Sequence, residues 1–188
     1  MFSKSEQVDV LKLACQADLS YQSSLYDQQL IALALKENRF MDLEDFFKAT
    51  QPLNPNVKIK LSDEIELLKQ YVSLYQSLHK ENFFLSFQAD CSEDPGLGIY
   101  PLTLFPLVKN AIEKGYSSMQ KHPIRIKVKV LGEKVRLEVS NRVNHHIQDQ
   151  NDTDVMENFK AKLELLYSDN YQLIINSNSN IFKATLIV

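Results

Sequence analysis

The chain is expected to fold as an α+β protein: a helical hairpin over residues 1–80, then a sandwich over 81–188 with helices on one face of a mixed sheet. Three observations lead there. Up to about residue 80 the apolar residues recur at three- and four-residue steps, the period of amphipathic helices. Near residue 81 the period drops to two. Beyond it, strand-like and helix-like stretches follow in the order β-α-β-β-loop-α-β-β, which suits a two-layer α+β arrangement.

The first helix is expected over residues 7–36. Val8, Leu11, Cys15, Leu19, Tyr26, Leu30 and Leu33 form its stripe, interrupted at Gln22. A helix of that length runs about 40 Å and needs a partner to cover its apolar side. "MDLEDFFKA" reads as a short second helix, and Pro52 and Pro55 end the pattern. The third helix has Ser62 as its expected N-cap, with Asp63, Glu64 and Glu66 placing negative charge at the positive end of the dipole. Its stripe is Ile65, Leu68, Tyr71, Val72, Tyr75 and Leu78. Two such hairpins pairing as a four-helix bundle predict a homodimer through residues 7–80.

"NFFLSFQAD" alternates and reads as a strand. "CSEDPGLGIYP" is a loop, and a helix is expected over 102–115. "IRIKVKV" and "VRLEVSN" form a hairpin about a turn holding Gly132. "RVNHHIQDQNDTDV" is polar and without pattern, "MENFKAKLELLY" is a helix, and "YQLIINS" and "IFKATLIV" close the chain as two strands.

Composition narrows the function. The chain has 188 residues, 44% hydrophobic and 24% charged, with a formal charge of −3. That is ordinary for a globular protein and gives no footprint for nucleic acid; the basic alternation of "IRIKVKV" is simply the wet face of a strand. No stretch is apolar over the length of a bilayer-spanning helix, and the N-terminus is not a signal peptide. A soluble, cytoplasmic chain is expected, a reading that also suits the cytoplasmic part of a longer membrane-anchored sensor. Cys15 and Cys91 are too few for a metal cage. His145 and His146, with Asp149 and Asp152, lack the spacing of a ligand set and read as solvated loop residues. His79 reads as a helix cap. Ser20, Ser23 and Ser24 have no His–Asp partners along the sequence, so nucleophilic catalysis has no support.

Asn110 is the odd residue of its helix, an amide among Leu107, Val108, Ala111 and Ile112. Such a group needs hydrogen-bond partners or lowers stability. Three words of the sequence bear on its use. "LSDEIELLKQYVSLYQ" is similar to "L-x-E-E-I-x-x-L-x-x-Y", "PLTLFPLVKNAIEKGY" to "P-x-x-L-Q-P-L-V-E-N-A-I-K-H-G", and "AKLELLYSDNYQLII" to "R-R-L-E-L-L-Y-x-x-x-Y-x-L-x-I". They stand in the order found in LytS/YehU-type sensor histidine kinases, and the resemblance covers residues 10–188. It implies a dimerisation region followed by a GHKL-type ATP-binding domain. It also implies a homodimer, and a histidine kinase or a LytTR-type response regulator as partner. Asn110 would correspond to the asparagine that holds Mg²⁺ against the nucleotide phosphates, a role a carboxamide oxygen suits. Lys114, Asn141 and Asn158 stand at the other nucleotide-binding positions.

The sequence departs from that family where the chemistry lies. The phosphoacceptor histidine is absent from "ADLSYQSSLYDQQL". Lys109 replaces the glutamate that would serve as general base, and an ammonium cannot take that role. "VSNRVNHH" offers Asn141, whose amide oxygen can accept an adenine amino hydrogen, but no glycine follows. "TDVMENF" puts Thr153 and Val155 at the two lid glycines and adds Asp154, leaving Asn158. None of the four glycines lies in residues 133–188, and a backbone phosphate cradle needs glycine's conformations. The expectation is a degenerate histidine-kinase-like module without catalytic residues or cofactor, acting by dimerisation and partner binding. The alternative is an enzyme that still binds Mg-ATP and transfers phosphate.

Overall fold

The computed structural model describes residues 4–79, 82–92, 94, 96–145 and 153–188. His146, Asp149 and Asp152 lie outside the described residues. The helical part holds α1 (Lys4–Leu25), α2 (Gln28–Lys36), a 3-10 turn (Phe40–Leu43), α3 (Glu44–Thr50) and α4 (Leu61–Leu78). The sheet part holds β2 (Leu85–Asp90), α5 (Phe105–Lys114), β4 (Ile124–Leu131), β5 (Lys134–Arg142), α6 (Thr153–Tyr167), β6 (Gln172–Ser177) and β7 (Ile181–Ile187). Two short strands that the periodicity does not reveal, β1 (Ile59–Lys60) and β3 (Gly98–Ile99), pair antiparallel. The main sheet runs β2-β4-β5-β7-β6, with β2 and β4 parallel and every other pair antiparallel.

The hairpin expected at Gly132 is present, and Gly132 takes φ 62 there, where a side chain is disfavoured. β4 alternates without exception: Ile124, Ile126, Val128 and Val130 are buried, and Arg125, Lys127, Lys129 and Leu131 are exposed. The buried row meets α5 through Leu107, Val108, Ala111 and Ile112. Tyr21 and Leu25 of α1, most of the inner face of α4, α5, α6 and the sheet interior belong to a single apolar cluster. The core therefore runs continuously across residue 80.

The long first helix is not continuous. It breaks at Tyr26–Asp27, and Asp27 caps a new helix by accepting from the Gln29 and Leu30 amides at 2.9 and 3.2 Å. Asp27 is buried, and its other oxygen accepts from the hydroxyls of Tyr71 and Tyr75 at 2.5 and 2.8 Å. Burial beside this carboxylate pushes both phenols well above their ordinary pKa. A carboxylate with four donors has replaced one turn of helix, the competition that makes Asp a helix starter.

The break redistributes the apolar stripe. α1 lies along α6 and buries Ala17, Ser20 and Ser24, small residues that let two helices approach closely, together with the ring of Tyr21. Val8, Leu11 and Leu19 face away, 57%, 69% and 51% exposed. The third helix also starts differently. Its N-cap is Lys60, and Ser62 lies one turn-position inside, bonded to Asp63. The β1–β3 pairing sets this start, since the Leu61 amide is bonded to the Leu97 carbonyl. His79 caps the far end as expected, with Nδ1 2.9 Å from the Tyr75 carbonyl.

Asp27→Ala removes a helix cap and strips two buried hydroxyls of their acceptor. An expected loss of about 3 kcal/mol follows from cap and buried hydrogen-bond magnitudes. Tyr71→Phe removes one donor and is expected to cost about 1 kcal/mol. Urea denaturation of the two variants checks the ranking; equal effects would show that Asp27 is not the shared anchor.

Candidate functional site

The three words that carry the resemblance meet in space around one loop, Pro101–Leu104. Glu64 of α4 is fully buried and accepts from the Leu102 and Leu104 amides at 2.8 and 3.0 Å. Lys162 of α6, equally buried, donates to the Pro101 and Leu102 carbonyls at 2.8 and 3.0 Å. Leu102 itself is held at φ 55, a conformation few leucines adopt. Tyr167 adds its hydroxyl, which donates to Thr103 and accepts from the Tyr100 amide. Tyr21 of α1 closes the assembly, its ring centre 5.4 Å from the Lys162 ammonium.

This loop displaces the expected start of the fourth helix, which begins at Phe105 rather than 102. Glu64 does the work of a cap from another helix, satisfying amides that no local side chain reaches. Removal from water pushes Glu64 up to about 7 and Lys162 down to about 8. The loop amides and the Lys162 charge oppose the shift of Glu64, and the Glu64 charge opposes that of Lys162. Lys162 has no role in the sequence reading and Glu64 only that of a first-turn charge on the helix dipole, yet each leaves a trace of its buried role. Glu64 occupies a core position of the stripe Leu61–Leu68–Tyr71–Tyr75, and Lys162 one between Phe159 and Leu166. A charged residue at a core position needs a partner.

α5 then carries the residues expected at a nucleotide site. Asn110 is half-buried, and its carboxamide bonds to no protein group among the described residues. It is thus not an amide tied to backbone groups. Lys109 points to the helical part: its ammonium donates to the Ser23 carbonyl at 2.8 Å and lies 3.7 Å from both Asp27 and Glu113. Lys114 is half-buried near the end of the helix, and its carbonyl accepts from the Asn144 amide. Gly115 follows because nothing larger fits: a Cβ there would lie 2.3 Å from the Ala111 carbonyl and 2.9 Å from the Asn141 amide nitrogen.

Asn141 is buried on β5, with Nδ2 donating to the Arg142 carbonyl at 3.0 Å. Turning the amide over would set two oxygens against each other, so that bond fixes its orientation. Oδ1 is left buried without a partner. Asn158 is half-buried on α6, again with no bond among the described residues. Thr153, Asp154 and Val155 belong to the first turn of α6, helix where the resemblance places a glycine-rich wrap. No group of three potential His, Cys, Asp or Glu metal ligands exists among the described residues. No helix among them is long and apolar enough to cross a membrane.

These residues fit Mg-ATP at one end only. Asn141 offers a buried acceptor without a donor, as an adenine amino group requires. Where the resemblance puts the phosphates there is helix without glycine, and Lys109, where it puts a general base, is engaged elsewhere. No step of phosphoryl transfer follows from this arrangement.

No protein-family model matches the sequence, and no curated protein matches it. Among solved structures, the chain is similar to the histidine kinase domain of the blue-light-activated kinase EL346 of Erythrobacter litoralis. That match has 10% identity, covers 93% of this chain and 95% of that one, and has a TM-score of 0.49. The histidine kinase AdeS of Acinetobacter baumannii matches at 10% identity over 96% of each chain, with a TM-score of 0.48. The catalytic domain of histidine kinase ThkA matches at 17% identity over 70% of this chain and 93% of its own, also at 0.48.

Lys162→Met strands a buried carboxylate and is expected to destabilise by about 3–5 kcal/mol. Adding Glu64→Gln should recover at least about 1 kcal/mol of the additive sum, measured by a double-mutant cycle in urea. The pH dependence has a definite sign. Glu64 titrates higher in the folded protein than its ordinary 4.5, so its contribution is full below that value and declines as pH rises to about 7. Lys162 titrates lower than its ordinary 10.5, so its contribution increases between about 8 and 10.5. Wild type minus Glu64→Gln stability, followed from pH 4.5 to 7, should fall; a flat difference contradicts this assignment.

Proposed function

We propose that the chain is a degenerate histidine-kinase-like module of a two-component system, which signals by association rather than by transferring phosphate. The observation that carries this reading is Lys109. At the position where the resemblance puts a general base, the side chain is a cation bonded to Ser23 and facing Asp27. The site has thereby become a joint between α5 and the α1–α2 break. The missing acceptor histidine and the absence of glycine from residues 133–188 support the same conclusion.

On this reading residues 1–80 form the association region and 81–188 the ATPase-like domain. The exposed side of α1 at Val8, Leu11 and Leu19 is the surface on which a second copy packs. A histidine kinase or a response regulator of the LytTR type is the partner, and the module works in the cytoplasm. One observation favours a second reading, a switch that binds Mg-ATP without hydrolysing it. Asn110 and Asn158 hold carboxamides with no described protein partner, and Asn141 holds a buried acceptor without a donor. On that reading Asn110 would hold the Mg²⁺ and Lys114 would meet a phosphate.

Melting the protein with Mg-ATP separates the two. The associating module shows no rise in melting temperature at millimolar nucleotide (a concentration that fills weak sites), and Asn110→Ala melts like wild type because Asn110 bonds to nothing it would lose. A rise in wild type that Asn110→Ala erases replaces this reading by the switch. Sedimentation at tens of micromolar (a range that reports weak dimers) should give a dimer, and Leu11→Glu/Leu19→Glu a monomer. A monomeric wild type excludes the association surface.

A further inference from the structure

The face of the sheet turned away from the helices is open, and its charge is unlike that of the rest of the molecule. Arg125, Lys127 and Lys129 of β4, Arg136 and Arg142 of β5 and Lys183 of β7 lie on it, against the two carboxylates Asp90 and Glu138. Lys134, paired with the outward Leu131 at the hairpin end, is on it too; the excess of five positive charges sits in a chain whose formal charge is −3, so the remainder carries −8. Glu138 is already engaged by Arg136. Among the described residues Arg125, Lys127, Lys129 and Lys183 make no ion pair.

The strand register arranges these charges in rows. One row across the five strands reads Ser86, Arg125, Ser140, Lys183, Asn176. The next two rows contain Glu138 and Asp90 respectively; this one contains no acid. Its central residue is small and its neighbours are long. With strands about 4.8 Å apart, the Arg125 and Lys183 backbones stand about 10 Å apart with Ser140 between them. The result is a hollow of about 290 Å³ lined by Arg125, Lys127, Glu138, Ser140, Ile181 and Lys183. It shares Arg125, Ser140 and Ile181 with a second hollow of about 160 Å³ reached by His122 and Arg142.

We propose that this hollow over Ser140, between Arg125 and Lys183, is a binding site for a multiply charged phosphate, either a free phosphate ester or a phosphorylated headgroup. A guanidinium fork and an ammonium face each other across a gap that a tetrahedral anion fills, with the Ser140 hydroxyl as a donor from the floor. Lys127 and Arg142 add charge from the neighbouring rows. No Phe, Tyr or Trp lies on this face among the described residues, so it lacks the stacking surface that single-stranded nucleic acid uses. The site is on the opposite side of the sheet from Asn110 and is independent of whether ATP binds there.

Calorimetry on the whole chain with pyrophosphate and inositol hexakisphosphate, without Mg²⁺, tests the free-ligand arm. Flotation with phosphatidylcholine vesicles, with and without phosphatidylinositol bisphosphate, tests the headgroup arm, and vesicles with phosphatidylglycerol control for simple surface charge. Binding to either probe is expected, weakening with salt. Arg125→Gln/Lys183→Gln should reduce it about tenfold or more, the order expected for losing two charge-assisted contacts. Ser140→Leu, which fills the hollow, should do the same. Lys69→Gln, at an exposed lysine of α4 paired with Glu66, should leave it unchanged. If the first pair of substitutions prevents folding, Lys127→Gln/Arg142→Gln gives the same test. Binding to the phosphatidylinositol bisphosphate vesicles alone identifies a headgroup, and equal binding to phosphatidylglycerol vesicles overturns the proposal. The proposal is overturned by no binding to any probe at low salt, by equal binding of wild type and the charge variants, or by tighter binding to single-stranded RNA than to every phosphate probe.

Discussion

A buried carboxylate and a buried ammonium grip the loop before α5 from opposite sides, and much of the molecule depends on that grip. Glu64 takes the loop's amides and Lys162 its carbonyls. Leu102 keeps its left-handed conformation between them. Each charge is tolerable inside the protein because the other is present and because backbone dipoles complete its coordination. Removing either leaves a charge that the interior cannot solvate. The pair sets where α5 begins, and through α5 it sets the positions of Lys109, Asn110 and Gly115. It also ties α4 to α6 across the point where the helical and sheet parts of the chain join.

Asp27 is the second such node, of a different kind. One oxygen starts a helix and the other receives two tyrosines, so one side chain breaks α1 from α2 and fastens the break to α4. Lys109 reaches the same place from α5. Its ammonium thus joins α5 to the break between α1 and α2, through the Ser23 carbonyl as well as through Asp27.

The two faces of the sheet differ in the same spirit. Inside, Ile124, Ile126, Val128 and Leu137 meet the helices and admit no charge. Outside, alternate residues of the same strands gather more cations than the two carboxylates Asp90 and Glu138 on that face can pair. The pleat makes both consequences of a single period-two pattern.

The sequence alone determined what local periodicity and local chemistry control. The switch of period near residue 81, the Gly132 hairpin, the alternation of β4 and the amphipathic α5 are legible because each is written within a few residues. So is the lack of glycine in residues 133–188, which is visible without coordinates. Tertiary structure decided the rest. The break at Asp27 required two tyrosines more than forty residues away. The late start of α5 required Glu64, and the partners of Lys109 and Lys162 required knowing which helices touch. Asn110 looked like an amide in need of local bonds and was found partly exposed without them. "IRIKVKV" read as the wet face of one strand, but its neighbours in the register bring Ser140 and Lys183 beside Arg125. Such assignments depend on contacts between distant segments, and a hydrogen bond or an ion pair has no period from which a sequence could announce it.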